Sequence, residues 1–515
     1  MGIEISNNLN FKSEKKIILD IANNHFGDVD HGKQIINVFS NLKYPKNFKI
    51  YFKLQFRNLD TFIHKDASKD SHYIKRFNST KLSKNQLLDL SNSINNLDKS
   101  IFGLMVTPFD EDSVAWAEEA KTDILKVASC SANDWPLLTK VTRSNIPVVA
   151  STGGLKLKDI DNLVSFLRHK GTDFSLMHCI SIYPTEVGDC NILFIDELKK
   201  RYANIPIGWS THEPPENTDI VIAALSVGAK LLERHICLPK DNMPQNAYSS
   251  DPKQLQNWLN KINISSEFLD FSKINNRKQE EASIASLARG AYARRDIKKG
   301  EKIDENDYYF AFPILVDGQH TASSIKSGSD AIKDIKKDDA LLEKDNIFSP
   351  QVSSRFYLKE SLHEVKALLT KANIRLNSTF TLELSHHKGR KNFKKIGTTI
   401  INCINREYCK KILVQLPNQF HPMHYHPRKE ETFQILNGSL QIISDDHKYH
   451  LEAGETLTVL PGVWHSFFSK TGCVFEEVST THFNEDSVYK DYAIQKLARK
   501  DRKTIVDHWG RFQMD

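Results

Sequence analysis

Between residues 15 and 240 the chain alternates short apolar, β-branched runs with longer polar stretches of amphipathic character. This rhythm predicts parallel strands buried on both faces, each followed by a helix. Eight runs stand out: KKIILDI (15–21), KIYFKLQF (49–56), SIFGLMV (100–106), ILKVA (124–128), IPVVAS (146–151), FSLMHC (174–179), IPIGWS (205–210) and KLLERHI (230–236). Eight strand–helix repeats in about 250 residues are the arithmetic of a (β/α)8 TIM barrel, whose active site forms at the carboxyl ends of the strands. A doubly wound open sheet is the alternative, but no G-x-G-x-x-G follows the first run.

Farther along, the pattern changes. Residues 265–285 are charged and predict a closing helix and connection, whereas 288–312 and 335–347 predict a compact β-rich module of about 65 residues. A helical stretch follows, and then short strands punctuated by LNGS, DDHK and EAGE, which predict an all-β sandwich or barrel. The expected organisation is an α/β barrel over 1–283, a small β-rich domain over 284–348, a helical linker over 349–376 and an all-β domain over 377–515.

Composition narrows the class. At 515 residues, about three domains are expected. Hydrophobic residues at 40% and charged residues at 26% describe a globular chain rather than a disordered one. No run of ~18 apolar residues exists to span a membrane, and the amino terminus lacks the apolar core of a secretory signal. Seven scattered cysteines without a C-x-x-C pair point to a reduced cytoplasm. The net charge of +6 comes without a basic block. Nucleic acid and membrane are therefore not expected as partners, while a small anionic substrate is compatible.

The ionisable residues gather at the predicted strand ends. Lys53 and Lys126, read as lying on neighbouring strands, point to one mouth, and lysines inside strands are retained mostly for anion or Schiff-base chemistry. Thr107, Ser129, Ser181 and Ser210 add hydroxyl donors on four further strands. Such a ring suits a small dianion or trianion, and phosphoenolpyruvate fits that description. His212 and His235 follow adjacent strands with Glu233 and Asp20 nearby, the makings of a divalent-metal site.

KKIILDIANNHFGD, YFKLQF, ILKVASCSANDWPLL, PVVASTGGL, HCISIYPTEVGD, IGWSTHE and LLERHICLPKDNMP, in this order, resemble the sialic acid synthase family, the phosphoenolpyruvate-dependent nonulosonic acid synthases. The resemblance covers about residues 15–348, the module at 288–348 being similar to the family's antifreeze-like (SAF) domain. It implies a transferase of the N-acetylneuraminate synthase kind, condensing phosphoenolpyruvate with the aldehyde of a mannosamine-type sugar and releasing phosphate. Lys53, Thr107, Lys126, Ser129, Ser181 and Ser210 then hold phosphoenolpyruvate, His212 and His235 ligate Mn2+ or Mg2+, Tyr183 lines the sugar site, and Asp20 stands where the family has a glutamate. A homodimer is implied as well. The sugar half departs from the family: Ser131 replaces a glutamate, Thr211 an aspartate, Phe312 an arginine, and the sugar loop is the shorter PQNAYSSD. A carbohydrate-binding or regulatory protein with an altered barrel is the competing class.

In the C-terminal region HPMHYHPRKEETFQILNG places His424 and His426 two apart on one strand face, with Glu431 five beyond and His465 later in LPGVWH. Three imidazoles and a carboxylate suit Mn, Fe, Ni or Zn with positions left open. The spacing is that of a cupin, with Glu430 as an alternative ligand and Asn418 where the pattern has its leading glycine. SHHKG, NREYCKK, EETFQILNG and FEEVSTTHFNEDSVY make this region similar to cupin sugar isomerases of the D-lyxose isomerase type. Glu476, Glu477 and His482 are candidate acid/base residues; a cupin retained for sugar binding or assembly is the other reading.

Overall fold

The computed structural model describes residue 11 and residues 14–67, 71–240, 245–270, 278–325, 328–348, 350–376, 380–483 and 485–506. Part of the sugar loop and part of the charged connection at 265–285 lie outside them. The chain forms two compact units, Met1–Asn276 and Arg277–Asp515.

In the first unit eight parallel strands close into a barrel in sequence order: β1 Lys15–Ala22, β2 Phe48–Phe56, β3 Phe102–Pro108, β4 Ile124–Val127, β5 Val148–Ser151, β6 Phe174–Cys179, β7 Ile207–Ser210 and β8 Leu231–His235. Each of the eight apolar runs supplies one strand. Alternation along the strands sorts their side chains into two shells. Outward positions such as Ile17, Leu19, Phe52, Leu104 and Leu125 pack against the surrounding helices. Inward positions near the amino ends, Ile18, Tyr51, Met105, Ile124, Val149, Met177 and Leu231, fill the barrel floor. Gly208 belongs to that floor, for a Cβ there would stand 2.6 Å from Leu231 and 3.0 Å from Met177. Two residues farther along the same inward faces come Asp20, Lys53, Thr107, Lys126, Ser210 and Glu233, all buried. An apolar floor under an ionisable ceiling is how a barrel sets chemistry at its carboxyl mouth.

The second unit opens with a helix, Lys278–Ser286, and a small β module. In it β9 Gly290–Ala293 pairs with β11 Tyr308–Ala311, while β10 Lys302–Ile303, β12 Ser329–Ala331 and β13 Asn346–Phe348 form a three-stranded sheet around Ala291, Ile297, Ile303, Ile335 and Leu341. The helix Pro350–Lys371 does more than connect: its Leu358, Leu362, Val365 and Leu369 are buried against Leu382, Leu384, Ile401, Ile412, Val414 and Val474.

Eleven antiparallel strands follow: β14 Thr381–Ser385, β15 Thr398–Asn405, β16 Tyr408–Gln415, β17 Gln419–Tyr425, β18 Glu431–Ser444, β19 His447–Glu452, β20 Thr456–Val459, β21 His465–Ser469, β22 Cys473–Thr480, β23 Val488–Tyr489 and β24 Lys503–Val506. The long β18 pairs with β20 and β22 along its first half and with β19 and β21 along its second, bending at an Ile435/Asn437 register shift. Gly438 (φ +83°) completes the bend, where a Cβ would lie 2.3 Å from the Gly472 carbonyl. The all-β expectation is met, as a cupin-like half-barrel.

Candidate active site in the barrel and metal cluster in the cupin

Strand register assembles the barrel site. Asp20 on β1 lies opposite Lys53 on β2 and His235 on β8, and Ser210 on β7 lies opposite Glu233 on β8. Lys53 Nζ is 2.9 Å from Asp20 Oδ2 and 2.9 Å from Glu233 Oε1. Lys126 Nζ is 2.7 Å from Glu233 Oε2, and Ser210 Oγ donates to Glu233 Oε1 at 3.0 Å. The two lysines stand on β2 and β4 with β3 between them, so they are not on neighbouring strands; they converge because both reach across to Glu233. Burial opposes charge on Glu233, but Lys126 and Lys53 outweigh it and hold the carboxyl far below its usual range. Burial lowers the pKa of Lys126, whereas Lys53, flanked by both carboxylates, is pushed up.

The β1 end is shaped for this contact. Ala22 adopts φ +48°, the register slips between Asp20 and Ala22, and the Ala22 N–H donates to Asp20 Oδ1 at 2.9 Å. His212 and His235 have ring centroids 5.4 Å apart. Nδ1 of His212 lies 2.7 Å from the Ile180 carbonyl, so with Nδ1 donating, Nε2 is left for a ligand. Nδ1 of His235 is buried without a hydrogen bond, 3.5 Å from Asp20 Oδ2. Burial keeps both rings neutral, His212 at a pKa of about 3. Two neutral imidazoles beside a carboxylate fit a divalent ion. The ring of Tyr183, 53% exposed, is tilted against that of His212 with centroids 4.3 Å apart, and Tyr248 stands 5.1 Å from His235.

The hydroxyl ring is only partly drawn together. Ser129 Oγ accepts from the Gly153 N–H at 3.0 Å. A Cβ on Gly153 would meet Ser181 Oγ at 2.4 Å, Cys179 Sγ at 2.6 Å and Ser129 Oγ at 2.8 Å, so this glycine lets the chain pass beneath both serines. Thr107 Oγ1 is buried and unpartnered. His178, at the end of β6, turns away from the barrel mouth: Nε2 contacts the Cys190 carbonyl at 3.1 Å, and the ring packs on Phe194 and Trp209. Ser131 is buried in the turn Ser129–Ser131, and Phe312 is 61% exposed. Thr211 accepts from buried Arg234, which also pairs with Glu213, so an acidic partner stands one residue after His212 rather than one before it.

Sequence reasoning named Glu233 only as a neighbour, whereas it is the hub. Its position two before His235, on the same strand face, was the available signal. Tyr248 and Gly153 carried none.

The cupin ligand atoms of His424, His426, Glu431 and His465 lie within 4.8 Å of one another, all four residues buried. His424 and His465 are direct cross-strand partners on β17 and β21. Each imidazole places Nδ1 against a backbone carbonyl: His424 on Pro422 at 2.9 Å, His426 on Asp486 at 2.8 Å, His465 on Val463 at 3.1 Å. With Nδ1 donating, the Nε2 atoms converge, 3.4 Å (His426) and 3.1 Å (His465) from Glu431. Fixed tautomers around one carboxylate suit a transition metal. Glu430 is exposed, which removes it as an alternative ligand. Asn418 has φ +59°, the conformation a glycine would take.

Beside the cluster lies a cavity lined by Lys411, Lys429, Glu477, His482, Tyr489 and Lys503, among others. Glu477 contacts Lys411 (2.8 Å) and Lys429 (3.1 Å), which hold its pKa at about 2 despite burial. Lys429 also pairs with Glu431. Alternation on β22 sends Glu476 the other way, to Lys410 at 3.0 Å. Lys411, Lys429 and the contact of His387 with His421 (3.3 Å) were not read from sequence.

Residues 50–273 match the NeuB family and residues 412–475 a cupin domain. The spore coat polysaccharide biosynthesis protein E of Chromobacterium violaceum is 38% identical, with a TM-score of 0.62 over 65% of this chain and 100% of that one. An uncharacterized protein of Methanocaldococcus jannaschii is 32% identical over 58% of this chain and 84% of its own length. The N-acetylneuraminate-9-phosphate synthase of Drosophila melanogaster is 30% identical over 47% of this chain and 65% of its own. With a relative of 38% identity covered from end to end, the chain belongs to the NeuB family, whose members include sialic acid synthases, and it carries a cupin domain as well.

Proposed function

We propose that the barrel joins phosphoenolpyruvate to the open-chain aldehyde of a mannosamine-type or related sugar, giving a nonulosonic acid and inorganic phosphate. The observation that carries this reading is the convergence of Lys53 and Lys126 on Glu233, beside Asp20, His212 and His235. On binding, the phosphoenolpyruvate anion exchanges with Glu233 as partner of the two lysines, while Thr107, Ser129, Ser181 and Ser210 donate to its oxygens. A bond forms between its methylene carbon and the aldehyde carbon, whose oxygen takes up a proton to become a hydroxyl; water adds to the neighbouring carbon, and the C–O bond to phosphate breaks as the added hydroxyl becomes the keto group and its proton leaves with the phosphate. Asp20 or Glu233, freed by the exchange, takes the proton of that water and returns one to the aldehyde-derived oxygen. Tyr183 and Tyr248 wall the sugar. His212 and His235 would hold Mn2+ or Mg2+, which when bound supplies Lewis-acid polarisation of the aldehyde.

The chain is proposed to act as a homodimer in the cytoplasm; all seven cysteines are unpaired, in keeping with a reducing compartment. Among the described residues no helix is long and apolar enough to cross a membrane. Incubating the full chain with phosphoenolpyruvate and a panel of aminosugars should release phosphate with at least one of them, and chelation should stop it. Absence of release with every sugar would overturn the reading.

A second activity is favoured by the cupin cavity, where Glu477 and two lysines stand next to the His/Glu cluster. A metal-loaded cupin there interconverts an aldose and its ketose, with Glu477 moving the proton. Metal bound with no isomerisation of any aldose would leave a sugar-binding role instead.

A further inference from the structure

Arg57 follows the last residue of β2, Phe56. Its guanidinium is clamped between two rings, 3.6 Å from the centroid of Phe109 and 4.6 Å from that of Phe77. Nη2 donates to Gln55 Oε1 at 3.0 Å, and Gln55 Nε2 donates to Asp20 Oδ2 at 3.5 Å, so Arg57 is two hydrogen bonds from the carboxylate that holds Lys53. Nε is sealed from solvent and has no partner. Among the described residues no carboxylate forms an ion pair with it, in contrast to Lys53 and Lys126. Burial lowers its pKa to about 10, which leaves it charged at neutral pH. It borders a pocket shared with Asn23, His25, Gln55 and Lys81.

A charged fork fixed in orientation, with an idle donor, is built to receive an oxyanion. Lys53, Lys126, Thr107 and Ser210 lie within the strands, whereas Arg57 and Phe77 belong to the connection beyond β2, one layer nearer the opening. The smaller anion belongs to the deeper layer, and the second substrate faces the outer one. We propose that Arg57 determines sugar specificity: it binds a phosphate or carboxylate that the sugar carries at the end away from its aldehyde. This rests on the reading of the barrel as the site of condensation.

The test is isothermal titration of the full chain, in the presence of phosphoenolpyruvate, with N-acetylmannosamine, its 6-phosphate and its 6-carboxylate. One of the two acidic sugars should bind about 30-fold more tightly than the neutral one, the size expected of hydrogen bonds to a charged group. Arg57→Ala and Arg57→Gln should erase that ratio while phosphoenolpyruvate affinity stays within about twofold, and Arg57→Lys should restore part of it; a merely structural arginine would not move the ratio. Equal binding of all three sugars by the unaltered chain, or loss of phosphoenolpyruvate rather than of the acidic sugar in Arg57→Ala, overturns the assignment. A persistent preference without phosphate release from any sugar upholds Arg57 and removes the condensation reading. Release without preference does the reverse.

Discussion

Glu233→Gln removes one negative charge from a place where ammonium groups lie 2.7 and 2.9 Å away and a serine hydroxyl 3.0 Å away. Lys53 keeps Asp20 at 2.9 Å, but among the described residues Lys126 has no other carboxylate. Stripping one partner from a buried pair costs about 3–5 kcal/mol. The lower end applies, because burial already lowers the pKa of Lys126 and proton loss limits the penalty to about 3 kcal/mol. At roughly 2–4 °C per kcal/mol for a unit of this size, the barrel transition should fall by about 6–12 °C. Calorimetry, or the fluorescence of buried Trp209 and Trp258, reads it. The acid side gives a second readout. Glu233 keeps its charge in the folded chain well below the usual range, whereas the unfolded chain takes up a proton near pH ~4.5. The unaltered protein therefore has this stability in full above that pH and loses it as pH falls, so the gap to the variant should narrow from pH 7 to pH 4. Phosphoenolpyruvate should raise the variant's transition more than the parent's, since its anion finds Lys126 unpaired. A fall below about 2 °C, or parallel acid profiles, would refute Glu233 as the counter-ion of both lysines.

Three other outcomes are expected. Full-length chain should purify with about one transition-metal equivalent bound by the His424, His426, Glu431 and His465 cluster, and His424→Ala/His426→Ala should lose it by elemental analysis while phosphoenolpyruvate binding is retained. Gly153→Ala drives a methyl into Ser129, Ser181 and Cys179; it should cost about 1–3 kcal/mol in denaturant melts and raise the KM for phosphoenolpyruvate. Lys503, held at a pKa of about 8 by burial, releases its proton in the folded chain before the unfolded one does. Between pH 8 and about 10.4 the protein should therefore gain about 1–3 kcal/mol relative to Lys503→Met, and a flat difference would reject the shift.

The barrel was legible because its strands are buried on both faces, so each had to appear as an unbroken apolar run, and because inward lysines and histidines are conspicuous in such runs. The cupin ligands were legible for a similar reason, as H-x-H with a following glutamate has one geometric meaning on a strand. What sequence could not show was who pairs with whom. Lys53 and Lys126 were paired with each other although their runs are the second and fourth of the eight; only closure of the barrel brings β8 beside β1 and delivers Glu233 to both. Glu476 and Glu477 were equivalent on paper until the register of β22 against β16 chose the inward one.

The helix Pro350–Lys371 bears on how this protein can be taken apart. Four of its side chains, Leu358, Leu362, Val365 and Leu369, are buried against the cupin sheet. At about 1.5–3 kcal/mol each they contribute roughly 6–12 kcal/mol, comparable with the whole net stability of a typical domain. A fragment that starts at residue 377, where the pattern of strands begins, would leave Leu382, Leu384, Ile401, Ile412 and Val414 facing water and should aggregate. One that starts at 350 keeps them covered. The seam along which the cupin can be cut therefore lies before the helix, about 27 residues upstream of where its strands announce themselves.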